Sequence, residues 1–370
     1  MRVTIERSAF LKALTHVQSV VERRNTIPIL SNVLLQAADG ALKLTATDLD
    51  IEIVESVPAE VAKTGAITVP AHMLYDIVRK LPDGAQLEIE KAGDGQRVSI
   101  FAGRSRFSLQ ALPPEDFPDL AAGEFPNSFA VSAADLKGLI EKTRFAISTE
   151  ETRYYLNGIY LHEVASASML RAVATDGHRL AQAQIARPDG AKGMPGVIVP
   201  RKTVLEVVKL FEGIEGAVDV SLSAAKIRFA AGDLVLTSKL IDGTFPDYER
   251  VIPRNNDKSL ELDTKTFASA VDRVSTISME KGRAVKLQIG GNKVVLTVNN
   301  PDSGSAEEEV ACAYEADPLE IGFNSRYLMD VAGQIKSDSM EFRLADAGSP
   351  TIVRDPGDEQ ALYVLMPMRV

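Results

Sequence analysis

An internal repeat constrains this chain more than any other feature of its sequence. A segment with strand character that runs into a helical pattern occurs at residues 67–81, 197–211 and 321–335. A second helical pattern opens each copy, and corresponding positions are separated by 124 to 131 residues. A repeat of this length is a whole domain rather than one turn of a solenoid. The sequence therefore predicts a triplicated domain.

Each copy carries two helical patterns with apolar residues three or four positions apart, as the buried face of an amphipathic helix requires. In the first helix of each copy these residues are Phe10, Leu14, Val17 and Val20; Leu136, Ile140, Thr143 and Ala146; and Phe267, Val271, Val274 and Ile277. In the second helix they are Leu74, Ile77, Val78 and Leu81; Val204, Val207, Val208 and Phe211; and Leu328, Val331, Ala332 and Ile335. Residues suited to helix starts accompany them: Pro70 and Pro200 in first turns, and Glu6, Ser132, Asp263 and Asn324 at cap positions.

Between the helices lie short apolar segments bounded by turns, which predict strands. Examples are residues 41–47, 86–90, 98–101, 218–222 and 292–298, and the turn pairs are Asp39-Gly40, Asp83-Gly84, Asp94-Gly95, Asp242-Gly243 and Gly290-Gly291. We therefore expect three similar α+β domains, each with an antiparallel sheet and two helices. Phe-Pro-Asp at 117–119 and 245–247 marks the domain exits, and the expected domains cover residues 1–122, 128–253 and 258–370.

Length and composition exclude several classes of protein. The chain has 370 residues, of which 45% are hydrophobic, enough for two or three cores. No stretch approaches the roughly 18 uninterrupted apolar residues of a membrane span, and the first residues lack the apolar core of a secretion signal. The single cysteine, Cys312, has no partner for a disulfide or a thiolate metal site. These features predict a cytoplasmic protein.

The charges of this chain are unevenly distributed. The net charge is −10, which argues against a protein that coats itself with nucleic acid. The six predicted helices, however, carry a net charge of +6, so the rest of the chain carries −16. Helices that face one shared surface would make it electropositive beneath an acidic exterior, and such a surface would draw a polyanion inward. Helices also commonly carry solvating lysine and arginine, so the charge pattern alone leaves both interpretations open.

Helix spacing indicates how many chains such a surface would need. Six packed helices would line a circle with only about 8 Å of free opening, whereas duplex DNA is roughly 20 Å across. Twelve helices from two chains would leave about 26 Å. A closed two-fold dimer is the simplest solution, with helices inside the ring and sheets outside.

The joint of such a dimer would pair edge strands of the first and third domains, because edge pairing satisfies exposed backbone groups. We expect it to combine apolar side chains with complementary charges, namely Phe107 and Ile277 together with Arg104, Arg106, Glu307 and Glu308. Charged runs are also commonly plain solvated surface. A three-domain protein-binding scaffold that does not encircle DNA therefore remains the alternative.

Several motifs make the chain recognisable over its full length. They are Thr-Ile-Pro-Ile-Leu-Ser-Asn at 26–32, Arg-Tyr-Tyr-Leu-Asn-Gly at 153–158, Ala-Thr-Asp-Gly-His-Arg-Leu at 174–180, Val-Pro-Arg-Lys at 199–202, Phe-Pro-Asp-Tyr-Glu-Arg-Val at 245–251, and Tyr-Val-Leu-Met-Pro-Met-Arg-Val at 363–370. In these motifs the chain resembles the bacterial DNA sliding clamps. The resemblance implies a head-to-tail dimeric ring of six similar domains. It also implies that the ring needs no cofactor, is opened by an ATP-dependent loader and tethers the replicative polymerase and other replication and repair proteins to duplex DNA.

The resemblance also implies two sets of site residues. The DNA-facing residues would be Arg24, Arg153, Tyr154, Tyr155, Arg201 and Lys202. The pocket for short peptide motifs of partner proteins would consist of Leu156, Thr175, Gly177, His178, Arg179, Leu180, Pro246, Arg250, Val251, Val364, Met366, Pro367, Met368 and Arg369. Two positions depart from the family pattern: Glu150 replaces a neutral polar residue, and Pro350 replaces a small polar residue.

An enzyme is the main competing class, with Asp176 and His178 as an acid–base pair. Neighbouring positions across an Asp-Gly turn do not ensure that the side chains converge, and the sequence offers no evident nucleophile. The other histidines, His16, His72 and His162, have no metal-ligand spacing, and no glycine-rich phosphate loop is present. The sequence therefore favours a protein that is not an enzyme and holds no metal.

Overall fold

The computed structural model describes residues 1–23, 25–91, 93, 95–120, 123–278 and 284–369. The chain forms two compact units by its internal contacts. Unit 1 comprises Met1–Ala134, Pro188–Ala191 and Lys202–Leu240, and unit 2 comprises Asp135–Arg187, Lys192–Arg201 and Ile241–Val370. In the described ranges, no helix is both long and apolar enough to cross a membrane.

The first third of the chain alternates strands with two α-helices. The strands are β1 (Arg2–Glu6), β2 (Asn32–Ala38), β3 (Ala41–Thr47), β4 (Ile51–Pro58), β5 (Glu60–Lys63), β6 (Gly65–Pro70), β7 (Gln86–Lys91), β8 (Arg97–Ala102) and β9 (Ser105–Gln110). The helices are α1 (Arg7–Val17) and α2 (Ala71–Lys80).

The middle third repeats this order. Its strands are β10 (Asn127–Ser132), β11 (Gly158–Val164), β12 (Met169–Thr175), β13 (Arg179–Ala186), β14 (Val197–Pro200), β15 (Ala217–Leu222), β16 (Lys226–Ala231) and β17 (Leu234–Lys239). Its helices are α3 (Ala133–Glu141) and α4 (Arg201–Leu210).

The last third repeats it again. Its strands are β18 (Lys258–Asp263), β19 (Ala284–Gly290), β20 (Lys293–Asn300), β21 (Gly304–Ala313), β22 (Leu319–Asn324), β23 (Ser339–Leu344), β24 (Thr351–Asp355) and β25 (Asp358–Leu365). Its helices are α5 (Thr264–Ser275) and α6 (Ser325–Ala332).

Antiparallel pairing joins strands from different thirds of the chain. Unit 1 holds a sheet in the order β5-β1-β7-β8-β9 and a longer sheet in the order β10-β15-β16-β17-β4-β3-β2-β6. Unit 2 holds the sheet β14-β11-β12-β13-β25-β24-β23-β18-β21-β20-β19-β22. The first third therefore continues into the second through β4 and β17, and the second continues into the third through β13 and β25. This architecture confirms the predicted α+β class with antiparallel sheets and paired helices.

The helix starts follow from local chemistry. The side chain of Asp263 accepts a hydrogen bond of 2.7 Å from the backbone N–H of Thr266, and Asn324 accepts one of 2.9 Å from that of Arg326. Glu6 caps α1 in the same way, which confirms these three predicted N-caps. Pro70 is the last residue of β6, so α2 begins just after it rather than at it.

Turn chemistry explains some of the strand connections. Asp39 and Gly40 both have positive φ, 50° and 74°, as a tight two-residue hairpin between β2 and β3 requires. The turn between β19 and β20 lies at Gly291 and Asn292, one residue later than the predicted pair. Asp94 of the predicted pair Asp94-Gly95 lies outside the described residues.

Candidate peptide pocket and DNA-facing residues

The floor of the candidate pocket is formed where β13 pairs with β25. Leu180 lies opposite Val364 in this register, and Val173 of β12 is a neighbour on the same face. These side chains belong to a buried cluster in unit 2 that consists of Leu156, Val173, Leu180, Ile198, Phe245, Tyr248 and Val364. The floor is therefore rigid core, while the surface above it is open.

A cavity of about 170 Å³ opens onto this floor. It is lined by Leu156, Thr175, Gly177, Arg179, Leu180, Pro246, Asp247, Tyr248, Val251, Val364 and Met366. Nine of these eleven residues are among the fourteen that the family resemblance implied. The sequence did not identify Asp247 and Tyr248 as pocket residues, although both lie in the motif at 245–251, which also contains the predicted residues Pro246, Arg250 and Val251.

Five of the implied pocket residues do not line this cavity. They are His178, Arg250, Pro367, Met368 and Arg369. The backbone carbonyl of His178 accepts a hydrogen bond of 2.9 Å from the N–H of Met366, which fixes the start of the C-terminal segment beside the pocket. Met368 donates its N–H to the carbonyl of Gly322, 2.8 Å away. The backbone hydrogen bonds of His178 and Met368 hold the C-terminal segment in place beside the cavity.

Arg250 and Pro350 lie outside the wall of the cavity. Arg250 is 84% exposed and forms an ion pair of 2.7 Å with Asp247. The carbonyl of Pro350 accepts a hydrogen bond of 2.9 Å from the side-chain amide of Asn256. Neither Arg250 nor Pro350 contributes to the cavity wall.

Arg179 is a buried charged side chain of the pocket wall, at 7% exposure. Its guanidinium donates hydrogen bonds to the carboxylates of Asp176 and Asp330, at 3.1 Å and 2.5 Å, and to the carbonyl of Phe145 at 2.7 Å. It also lies 4.3 Å from the ring centroid of Tyr327. A buried arginine needs such partners because an unpaired buried charge is very costly.

Tyr248 also lines the pocket, and its hydroxyl is held by two neighbouring side chains. Its hydroxyl lies 2.9 Å from a guanidinium nitrogen of Arg171 and 2.9 Å from Nε2 of His162. Burial raises the pKa of the Tyr248 phenol, although the hydrogen bond from Arg171 opposes the shift. Burial also lowers the pKa of His162, so its imidazole is neutral at pH 7. This network is structural, because it fixes Tyr248 against the pocket.

The geometry at Asp176 does not form an acid–base pair with His178. One carboxylate oxygen of Asp176 accepts hydrogen bonds from the backbone N–H groups of His178 and Arg179, at 2.9 Å and 3.1 Å. Its other oxygen accepts from the guanidinium of Arg179. The carboxylate therefore holds a turn. The described residues contain no group of three or more His, Cys, Asp or Glu side chains arranged for a metal ion.

The implied DNA-facing residues of unit 2 lie in the short helical segment Glu151–Leu156 and at the start of α4. Arg153 forms an ion pair of 2.6 Å with Glu150, the residue at which the chain departs from the family pattern. Tyr154 is 54% exposed, whereas Tyr155 is half-buried and packs against the core cluster beneath the pocket. Arg201 is exposed at the beginning of α4.

The implied DNA-facing residue that the structure describes in unit 1 is already engaged. Lys202 forms ion pairs with the carboxylates of Asp48 and Glu22, the latter at 3.4 Å. Burial disfavours the charged form of Lys202, but the hydrogen bond to Asp48 and the two negative charges outweigh it and raise the pKa of the ammonium group. Arg24, the remaining implied residue, lies outside the described residues.

The first-domain residues of the predicted joint lie on the outer strand of a sheet. β9 pairs with β8 and is the last strand of its sheet within the described ranges. Arg104 and Arg106 are exposed, and Arg106 lies over the ring of Phe101, 5.1 Å from its centroid. Phe107 is half-buried.

The third-domain residues of the joint lie on and beside β21. This strand pairs with β20 along its length but with β18 only at Ala313 and Cys312, so its first part is an open edge in the described structure. Glu307 is exposed there, whereas Glu308 accepts hydrogen bonds from Arg273 of α5 at 2.5 Å and 3.0 Å. Ile277 is half-buried, and its carbonyl accepts from Asn300.

These features define the class of protein to which the chain belongs. Three copies of one α+β unit, joined edge to edge into long sheets and carrying an open apolar pocket near the C-terminus, form a multidomain binding protein.

Comparison with known proteins identifies the family. Models of the DNA polymerase III beta subunit match its N-terminal domain at residues 1–121, its central domain at 130–247 and its C-terminal domain at 249–369. A beta sliding clamp of Caulobacter vibrioides is 57% identical, and one of Pseudomonas putida is 43% identical, each with both chains covered completely. A solved sliding clamp of Bartonella birtlesii bound to griselimycin is 57% identical, with complete coverage of both chains and a TM-score of 0.97.

This chain therefore belongs to the DNA polymerase III beta subunit family, the beta sliding clamps. Its function is that of a sliding clamp in DNA replication, a processivity factor rather than an enzyme. The alternative, a three-domain protein-binding scaffold that does not encircle DNA, is not favoured.

Proposed function

We propose that two copies of this chain close into a ring around duplex DNA and present the apolar pocket to short peptide motifs of partner proteins. The observation that carries the proposal is the pocket itself, an apolar cavity over a rigid floor with Met366 and Val251 exposed at its rim. Exposed large apolar side chains around a cavity favour a binding site. The partners would be the replicative polymerase subunit, the clamp loader, and other polymerases and repair proteins.

The chemistry of the pocket suits several related peptides. Burial of an aliphatic or aromatic peptide side chain against the apolar floor is favourable. The flexible thioether of Met366 adapts to peptide side chains of different shapes. The polar groups on its wall, Arg179 and Tyr248, are tied to other parts of unit 2 and so keep their places when a peptide enters. A pocket of this kind selects a short motif rather than a whole domain surface.

The proposal assigns DNA contacts to the cationic and aromatic residues named above. Arg153, Tyr154, Tyr155, Arg201, Lys202 and Arg24 would touch phosphates without reading sequence. Arg201 and Tyr154 are exposed and can reach a phosphate directly, whereas Arg153 and Lys202 are held by carboxylates of the protein. Such contacts would let the ring slide, since weak and sequence-independent contacts do not fix a position on DNA.

Open edges at the residues of the predicted joint support the proposed dimer. An unpaired edge at β9 and another at β21 each expose backbone groups that a second chain would satisfy. Arg104, Arg106 and Phe107 would meet Glu307, Glu308 and Ile277 of the second copy. Because Glu308 is bound to Arg273, Glu307 is the freer carboxylate for this joint.

We propose the domain ranges 1–122, 128–253 and 258–370 and a cytoplasmic location. The ranges matched by the three family models support the domain division. The compact units cut across these ranges because strand pairing joins β4 to β17 and β13 to β25.

Sedimentation equilibrium of the purified chain tests the assembly. The proposal expects the mass of two chains at micromolar concentration. The mass of one chain over the whole accessible concentration range would contradict it.

A further inference from the structure

A second depression adjoins the peptide pocket along the same two strands. Leu180 of β13 and Val364 of β25 lie on the floor of the pocket, and two residues further along the strands Gln182 and Leu362 line an open groove of about 610 Å³. Gln182 lies opposite Leu362 in the strand register. Residues two apart on a strand share a face, so the pocket and the groove follow one another on the same face of the sheet.

Gln182 lines this groove, and its side chain has a buried polar atom without a partner among the described residues. The residue is 8% exposed, and its side-chain oxygen has no hydrogen-bond partner among the residues that the structure describes. Burial of an amide oxygen without a donor costs free energy. A ligand N–H in the groove would remove that cost once the Gln182 side chain turns its oxygen toward it.

The groove also carries an excess of negative charge. Five carboxylate side chains line it, against the single guanidinium of Arg354. Three of them are engaged within the protein: Asp355 by the backbone N–H groups of Lys336 and Ser337, Asp358 by Lys142, and Glu341 by Ser259 and Arg343. Glu261 and Glu359 have no ion pair within the described part of the chain, so both can meet an external cation.

A hydrogen-bond network connects the groove to the pocket. The guanidinium of Arg171 donates to the hydroxyl of Tyr248, which lines the pocket, at 2.9 Å. The same guanidinium donates to the side-chain oxygen of Gln184, which lines the groove, at 3.1 Å and 2.9 Å. The side chain of Arg171 is 12% exposed, so this shared wall is fixed.

We propose that the groove is an extension of the peptide site that takes a basic segment flanking the apolar motif of the partner. This inference rests on the proposed peptide-binding function of the pocket. A peptide that fills the pocket and continues along β13 and β25 enters the groove within two residues. There Gln182 accepts an N–H of the peptide, and the free carboxylates of Glu261 and Glu359 attract lysine or arginine side chains.

Fluorescence anisotropy with labelled synthetic peptides tests this extension on the full chain. All peptides share one apolar core of Leu and Phe residues, and they carry four Lys, four Ala or four Glu on either the N-terminal or the C-terminal side. We expect the Lys flank on one side to tighten binding about 5-fold relative to Ala, and the Glu flank to weaken it. The gain should shrink as salt rises, because exposed charges are screened.

Variants of the groove separate charge from hydrogen bonding. The double change Glu261→Gln and Glu359→Gln should remove the gain from Lys while leaving the affinity for the Ala-flanked peptide unchanged. Gln182→Leu, which keeps the size but removes the acceptor, should weaken binding of the peptides on the flank side that shows the gain. Glu320→Gln is the matched control, because it removes a carboxylate that does not line the groove. Glu320 lies on β22, the last strand at the end of the sheet opposite β14.

The outcomes distinguish this inference from the proposed function. If the Ala-flanked peptide binds and Met366→Ala weakens it, but Lys adds nothing on either side, the groove extension is wrong and the pocket stands. A Lys gain that persists in the Glu261→Gln, Glu359→Gln variant also overturns the extension. If the Ala-flanked peptide does not bind, or if its affinity is the same for the Met366→Ala variant, the pocket assignment is wrong and the extension is wrong with it.

Discussion

The guanidinium of Arg179 on β13 donates a hydrogen bond of 2.5 Å to the carboxylate of Asp330 on α6. The two residues are 151 positions apart in the chain. Arg179 lines the proposed peptide pocket, so this pair ties the pocket wall to a helix of the last third of the chain. The rigidity of the pocket therefore depends on a contact between distant segments.

Arg179→Ala should lower the free energy of unfolding by about 3 kcal/mol, because it leaves Asp176 and Asp330 without their buried partner. Urea unfolding followed by circular dichroism measures the change. Arg250→Ala is the control, since that arginine also belongs to the pocket region but is 84% exposed; its effect should stay within about 0.5 kcal/mol. An equal loss of unfolding free energy in the two variants would show that the buried contacts of Arg179 do not stabilise the fold.

Met366→Ala should weaken binding of an apolar peptide about 10-fold, because the side chain forms part of the pocket wall and loses apolar contact area with the ligand. Fluorescence anisotropy with a labelled peptide of Leu and Phe residues measures the affinity. Met73→Ala removes another exposed methionine, at 53% exposure in unit 1, and should change nothing. An unaltered affinity in the Met366 variant would refute the pocket.

Arg201→Ala should reduce DNA binding more than Lys202→Ala does. The guanidinium of Arg201 is exposed, whereas Lys202 is held by Asp48 and Glu22 and must leave them to reach a phosphate. The salt dependence of duplex binding reports this directly, since each lost phosphate contact lowers the slope of log K against log salt by about 0.9. The reverse order of the two slopes would show that the ion pairs of Lys202 do not limit its contact with DNA.

Ile277→Asp should produce single chains, because a charge would be buried at the proposed joint beside β21. Multi-angle light scattering gives the mass, and Ile277→Leu, which keeps an apolar side chain, should remain dimeric. A dimer that survives Ile277→Asp would move the joint elsewhere.

The repeat and its helices were predictable because both depend on short-range patterns. The stripe at Leu328, Val331 and Ala332 follows helical periodicity, and the caps at Asp263 and Asn324 act over two or three residues. Such signals need no knowledge of the rest of the chain.

What could not be predicted depends on contacts between distant segments. The pairing of β13 with β25 joins residues more than 170 positions apart, and nothing local specifies that partner. The same holds for Glu308, which was expected at the joint but is bound to Arg273, 35 residues earlier. Tyr248 was missed in the pocket because its sequence neighbours do not reveal that its ring packs with Leu180 and Val364.

Topological retention on DNA tests the central claim most directly. The chain is loaded by its host clamp loader with ATP onto nicked circular plasmid, and bound protein is measured by gel filtration before and after linearisation with a restriction enzyme. A ring that encircles DNA should stay on the circle and be lost from the free ends. Equal retention on circular and linear DNA would contradict the account.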